Sequence, residues 1–265
     1  MQKSYIVRVS SPKGGVGKSV ISVNLAIALQ QLGFNVLVLD LDLINPCVGL
    51  YMGMPDTNIG TLDVLKKPST LKRAIVPHLQ TGVRVLPGRI SRTYTMDDWL
   101  PTAKSLRTMV SGLSVLGYDF IIVDTQPGIA YPIPLDLYSE ALIVTQPHKA
   151  SCISAVKLLD RYGKAKLKTT LVTNRVRKGS SELSTREIEE MTEEHIAVQL
   201  PEDMNVPKSV DEGVPVLLMN KRAPFSKSVL DLADIISSRI GRARVVAAKE
   251  ESRGGRILGF FRKKG

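Results

Sequence analysis

The sequence predicts an α/β fold in three layers, with a mostly parallel central sheet covered by helices on both faces. Three observations carry that expectation. Short apolar runs alternate with helix-like stretches along most of the chain. The runs are apolar almost throughout, as strands buried on both faces require. A glycine-rich loop stands between the first run and the first helical stretch, in the order strand, loop, helix.

Tyr5 to Ser10 reads as the first buried strand, and Ser19 to Leu32 has helical spacing that ends at Gly33, a natural cap. Further strands are expected at Asn35 to Leu41, Val83 to Leu86, Phe120 to Val123, Ala141 to Thr145 and Thr170 to Thr173. Helices are expected at Thr102 to Leu116, Ser151 to Arg161 and Ser184 to Glu194, with a last amphipathic helix at Ser226 to Arg242. Ala243 to Gly255 is small, charged and glycine-terminated, which reads as a tether. The expected organisation is one α/β domain over 1–242, a flexible linker over 243–255 and a tail over 256–265. Ligands of such sheets bind beyond the carboxyl ends of the strands.

Composition narrows the partners. With 265 residues, 43% of them hydrophobic, the chain can bury a full core. Cys47 and Cys152 are far apart and form no CxxC pair, so neither a disulfide framework nor a zinc or iron–sulfur site is expected within one chain. No run of 18 apolar residues is present, and neither a spanning helix nor a signal peptide is expected. A formal charge of +11 points to an anionic partner: membrane lipid, nucleic acid or nucleotide.

The glycine-rich loop is Ser11-Pro12-Lys13-Gly14-Gly15-Val16-Gly17-Lys18-Ser19. A phosphate loop ordinarily has a Gly separated by four residues from Gly-Lys-Ser/Thr, because the backbone must bend tightly and turn its N–H groups toward phosphate oxygens. Here Pro12 holds that first position, and Lys13 with Gly14 and Gly15 compensates. The roles survive. Amides around Gly14 to Lys18 form an anion nest at a helix start, Lys18 brings charge to the β and γ phosphates, and the Ser19 hydroxyl is offered to magnesium. This implies the three-layer P-loop NTPase version of the fold, with ATP and Mg²⁺ as cofactors.

Lys13-Gly14-Gly15-Val16-Gly17-Lys18-Ser19 matches KGGxGK[ST] at every fixed position, and the chain thereby resembles the deviant Walker A ATPases of the MinD/ParA family. The resemblance implies a slow, switch-type ATP hydrolase, stimulated by a partner protein, that forms an ATP-sandwich homodimer in which Lys13 reaches the partner's phosphates. It makes Lys13, Lys18 and Asp42 the catalytic residues. Asp40-Leu41-Asp42 looks like switch I, with Asp40 supporting the metal and Asp42 positioning the water. Asp124, followed by Thr125-Gln126-Pro127-Gly128, looks like the Walker B and switch II segment, with Asp124 behind the magnesium and the Gly128 amide sensing the γ phosphate. Asn174 is implied to read adenine, and Pro201 and Asp203 to line the base pocket. Val20 departs from the second hydroxyl residue common in relatives, and Gln126 from their smaller residue or proline.

In the tail, Arg256-Ile257-Leu258-Gly259-Phe260-Phe261-Arg262-Lys263-Lys264 places Ile257, Leu258, Phe260 and Phe261 on one helical arc, away from Arg262 and Lys263. Burying four large apolar side chains is worth roughly 6–12 kcal/mol at most, and five cations near an anionic surface about 5 more. Ordering ten residues costs on the order of 10–20. One tail then binds marginally, whereas two tails on a dimer gain about 10²–10⁴ in avidity. The tail also resembles the membrane-targeting ending of MinD. The expected location is therefore cytoplasmic and peripheral on the cytoplasmic face of the cell membrane. An alternative is a partition ATPase that binds DNA non-specifically through Lys164, Lys166, Lys168, Arg175, Arg177 and Lys178; another is a nucleotide-gated scaffold with little hydrolysis.

Overall fold

A computed structural model of the chain describes residues 4–89, 101–128, 134–177, 179 and 181–240. The linker and tail expected over 243–265 lie outside the described residues, as do Gly241, Arg242 and Lys178.

Along the chain the elements are β1 (Tyr5–Ser10), α1 (Lys18–Gln31), β2 (Val36–Leu41), α2 (Val48–Tyr51), α3 (Thr61–Lys66), α4 (Leu71–Ala74), β3 (Val76–Pro77) and β4 (Arg84–Leu86). They continue as α5 (Ala103–Ser114), β5 (Phe120–Thr125), β6 (Glu140–Thr145), α6 (Lys149–Lys164), β7 (Lys168–Val176), α7 (Thr185–Thr192), β8 (Ile196–Pro201), α8 (Asn205–Glu212), α9 (Val216–Met219) and α10 (Pro224–Ser237). The strands form one sheet in the order β3-β4-β2-β5-β1-β6-β7-β8. Every pairing is parallel except the short edge pair β3/β4. β3 ends in Pro77, a residue that sheets tolerate at an edge.

The six expected strands are all present, and β3 and β8 are additions. The expected last helix starts two residues earlier than anticipated, at Pro224, and ends at Ser237, followed by a 3₁₀ turn at Ser238–Ile240. Proline suits that first position because its missing N–H would have had no helical partner.

The sheet separates two apolar clusters. One face packs on α1 and α10 through residues such as Val7, Val9, Leu25, Val229 and Leu232; the other packs on α3 to α7 through Leu39, Leu106, Ile121, Ala155 and Ile188. β1, β2, β5 and β6 are inaccessible along almost their whole length, which is why they read as unbroken apolar runs. α1 is buried from Val20 to Leu29 because it lies between the sheet and α10. β2 and β5 lie on one side of β1, and β6, β7 and β8 on the other. At that reversal the loops diverge beyond the strand ends and leave a crevice.

Candidate nucleotide-binding site

The crevice is a cavity of about 500 Å³. Its lining includes Gly14, Gly15, Gly17, Lys18, Ser19 and Val20 of the phosphate loop, together with Asp42, Asn174, Pro201 and Asp203. Ten of the sequence-predicted residues thus converge from four segments of chain. Gly15 and Gly17 have φ of +73° and +98°, the left-handed backbone that L side chains rarely adopt, so the loop curls where glycine permits. Val16 is buried behind the loop, and its carbonyl accepts a hydrogen bond from Asn174 Nδ2 at 2.7 Å. A Cβ on Gly17 would collide with that same Asn174 amide. The loop's first turn is held by Ser11, whose hydroxyl oxygen accepts from the Lys13 N–H.

Beneath the loop, Asp40 and Asp124 are register partners on adjacent strands β2 and β5, and both are fully buried. Asp124 accepts from the Ser19 hydroxyl at 2.6 Å and from the Ser22 hydroxyl at 2.9 Å. Burial nevertheless pushes its carboxyl up to about 6, against the lowering effect of these hydroxyls and of Lys18, while Asp42 adds to the rise. Asp40 is raised well above the ordinary carboxylate range by burial and by Asp124. Burial lowers Lys18, opposed by the charges of Asp124 and Asp42. Two desolvated carboxyls beside one ammonium and one serine hydroxyl are short of positive charge. A divalent cation held through Ser19 in front of Asp124, with phosphate oxygens on Lys18, suits this donor set.

Asp40 spends both oxygens on backbone, accepting from the N–H groups of Asp42 (3.1 Å) and Val48 (3.0 Å). It fixes the turn that carries Asp42 and supports any metal only from behind. Asp42 accepts from Ile44 and Asn45 through Oδ1 alone and lines the cavity.

Several expected roles look different in three dimensions. Asn174 holds the phosphate loop through its amide nitrogen, as well as facing the cavity. Asp203 lines the cavity, but it is first an anchor for two helices: it accepts from the backbone and side chain of Asn205 and from the Phe225 N–H of α10. Partial burial pushes the Asp203 carboxyl up, yet those bonds hold it below its usual value. The Gly128 N–H donates to the Ser11 carbonyl at 2.9 Å, and Gly128 does not line the cavity. Phosphate sensing by that amide therefore requires the Ser11 bond to be exchanged. Lys13 is exposed and also lies outside the cavity lining. Ile257, Leu258, Phe260, Phe261, Arg262 and Lys263 lie outside the described residues.

Among the described residues, the basic group proposed for DNA is divided between the two ends of β7. Lys168 opens the nine-residue β7, whereas Arg175 and Arg177 lie at or beyond its other end, roughly 25 Å away at about 3.3 Å per residue. Lys164 pairs with Asp160, Lys168 with Glu140 and Arg177 with Glu182.

Sequence reading missed part of the wall. Arg175, at φ +58°, lines the cavity directly after Asn174, and Val206 and Val210 line it from α8. The signals for α8 were Asp203 before it, Pro207 in its first turn and Gly213 after it. Cys47 and Tyr51, from the turn into α2 and from α2, complete the lining near Asp42.

The ParA family model, described as NUBPL iron-transfer P-loop NTPase, matches residues 2–237. An uncharacterized ATP-binding protein of Methanocaldococcus jannaschii is 30% identical, with 88% of each chain covered. The septum site-determining protein MinD of Escherichia coli is 26% identical over 97% of this chain and 98% of its own. Among solved structures, the septum site-determining protein MinD of Pyrococcus horikoshii in complex with Mg-ADP is 25% identical, with a TM-score of 0.82 over 90% of this chain and 98% of that one. Among the described residues no helix is long and apolar enough to cross a membrane.

Proposed function

The chain belongs to the MinD/ParA family of P-loop NTPases and is a MinD-like ATPase, and from that premise we propose that it is a membrane switch set by nucleotide. In this reading ATP binding produces a homodimer, the dimer holds anionic membrane lipid through two copies of the tail at 256–265, and hydrolysis releases it. The observation that carries the reading is the division of labour between two lysines. Lys18 is buried in its own cavity beside Asp124 and Asp42, whereas Lys13, five residues before the start of the helix in the same loop, is exposed and does not line its own chain's cavity. A lysine so placed suits a second copy's nucleotide.

Mg-ATP, when bound, supplies the phosphoryl group that is transferred to water. Lys18 and the loop amides would bind its phosphates, Ser19 backed by Asp124 would hold the metal, and the free side of Asp42 would orient the attacking water. Two desolvated carboxyls keep the cavity attractive to the divalent cation. The wall of buried Asn174 and half-buried Pro201, Val206 and Val210 would take the base. The relative from E. coli is named for determining the septum site, which supports a role in placing a cellular structure, at the division site or at a flagellum or archaellum. An activating or effector protein completes such a cycle. The ParA-like alternative is not favoured, because the cations it needs are separated or paired.

Sedimentation with vesicles containing phosphatidylglycerol tests the proposal, comparing ATP with ADP and the full chain with one ending at Gly255. Binding that requires both ATP and the tail is expected. Equal binding in both nucleotide states, or binding by the shortened chain, overturns it.

A further inference from the structure

At the opposite end of the sheet from the nucleotide cavity there is a second hollow, of about 380 Å³, lined by Asn35, Lys72, Ile75, Arg84, Leu116 and Tyr118. Asn35 precedes β2, Arg84 opens β4 and Tyr118 precedes β5, so the hollow lies at the amino ends of three neighbouring strands, with α4 supplying Lys72.

Three features of its lining point to a ligand. Tyr118 is only 9% exposed, and its phenol makes no hydrogen bond among the described residues. The ring is packed away while the hydroxyl, which is not among the buried polar atoms left without a partner, opens into the hollow. Arg84 and Lys72 are both exposed, and neither makes an ion pair among the described residues. Both also face a lining with no carboxylate in it. Asp119, the acid next in sequence to Tyr118, directs one oxygen to the Asn35 N–H at 2.9 Å. Finally, Arg84 and Tyr118 line the same hollow, and burial raises the phenol while the charge of Arg84 opposes the rise.

We propose that Lys72, Arg84 and Tyr118 form a binding site for an organic phosphate, distinct from the nucleotide cavity. The guanidinium offers paired N–H donors that match phosphate oxygens, the ammonium adds a second charge, and the phenol hydroxyl that opens into the hollow adds a further donor. Ile75 and Leu116 give the apolar flank on which the esterified part of the ligand rests. Two sources fit that chemistry, a phospholipid headgroup and a soluble phosphate ester. The last described turn also lies at this end of the sheet: Arg239 Nε is 3.4 Å from the carboxylate of Glu140, the first residue of β6. The site itself rests on the lining residues and does not depend on the membrane reading.

The test uses the full chain saturated with Mg-ADP, so that the nucleotide cavity is filled, and titrates glycerol 1-phosphate by calorimetry and by amide NMR shifts at Asn35 and Tyr118. Saturable binding is expected, weakened about tenfold or more by Arg84→Gln and severalfold by Lys72→Gln and Tyr118→Phe. The phenylalanine keeps the buried ring, and unchanged thermal melting separates loss of the hydroxyl from misfolding. Vesicles of phosphatidylcholine with 30% phosphatidylglycerol, with ATP in place of ADP so that the wild type sediments, then separate the sources. A loss of sedimentation in Arg84→Gln identifies a headgroup, and unaltered sedimentation with impaired glycerol 1-phosphate binding identifies a soluble ester. Absence of saturable binding to the Mg-ADP form, or binding that Arg84→Gln and Tyr118→Phe leave unchanged, overturns the site.

Discussion

Asn174 Nδ2 donates to the Val16 carbonyl at 2.7 Å and occupies the space that a Cβ on Gly17 would need. One amide at the end of β7 therefore sets the curl of the phosphate loop from outside the loop. Asn174→Ala leaves the Val16 carbonyl without that donor in a buried setting, at a cost of about 1–3 kcal/mol. ADP affinity should fall about tenfold, with the fold retained. Gly17→Ala is worse, because φ of +98° is strained for any L side chain and the new methyl displaces Asn174. Calorimetric titration with Mg-ADP should show partial loss for Asn174→Ala and complete loss for Gly17→Ala. The reverse order would mean that Asn174 only reads the base.

The carboxyl pair under the loop makes stability depend on pH. Asp124 moves from 3.8 to about 6 on folding, so between those values the folded chain binds more protons than the unfolded one. Stability must then fall as pH rises from about 4 to about 6, and remain lower above that. A shift of about two units corresponds to on the order of 3 kcal/mol. Asp40 acts in the same direction. Thermal melts of the ligand-free protein at pH 4 to 7 should show this loss, and Asp124→Asn should flatten it. Mg²⁺ with ADP should restore the wild type far more than the variant. Parallel curves for the two proteins would rule out this origin.

Asp203 titrates with the opposite sign. Its carboxylate ties the start of α8 to the start of α10 through Asn205 and Phe225, and those bonds hold it below its ordinary value. The stability it contributes is present above the unfolded value near 4 and is lost as pH falls through the lower folded one. Asp203→Ala should cost about 1–2 kcal/mol at pH 7, with the deficit shrinking under acid. Urea unfolding at pH 7 and pH 3 measures it. Because α8 walls the cavity, ADP affinity should weaken modestly in the same variant.

The strand-loop-helix order around Lys13 to Ser19 was legible because a phosphate loop needs glycines, a lysine and a hydroxyl at fixed spacing, and those needs are local. The buried strands were legible because both faces of the sheet are covered. β8 was missed although its burial alternates along Ile196–Pro201. Only every second residue is packed away there, and Gln199 interrupts the apolar pattern. The short helices α2, α8 and α9 carry too few turns for periodicity to speak, and tertiary packing holds them. The second job of Asn174, and the fact that the Gly128 amide is bound to Ser11, depend on segments more than a hundred residues apart meeting in space. No spacing in the sequence records such a meeting.

The exposure of Lys13 can be turned into a test of which nucleotide it serves. Its backbone N–H is pinned by Ser11, but its side chain faces solvent outside the lining of its own cavity. An exposed ammonium contributes little to a ligand it does not touch, since bulk water screens it. Lys13→Ala should therefore bind Mg-ADP with an affinity within about twofold of wild type. Placed against a second copy's phosphates in a closed, water-poor interface, the same charge is worth far more. The variant should then fail to form the ATP-dependent dimer in sedimentation velocity, and its hydrolysis should drop by about two orders of magnitude. A large loss of ADP affinity would instead place Lys13 on its own chain's nucleotide and remove the structural argument for action across the dimer.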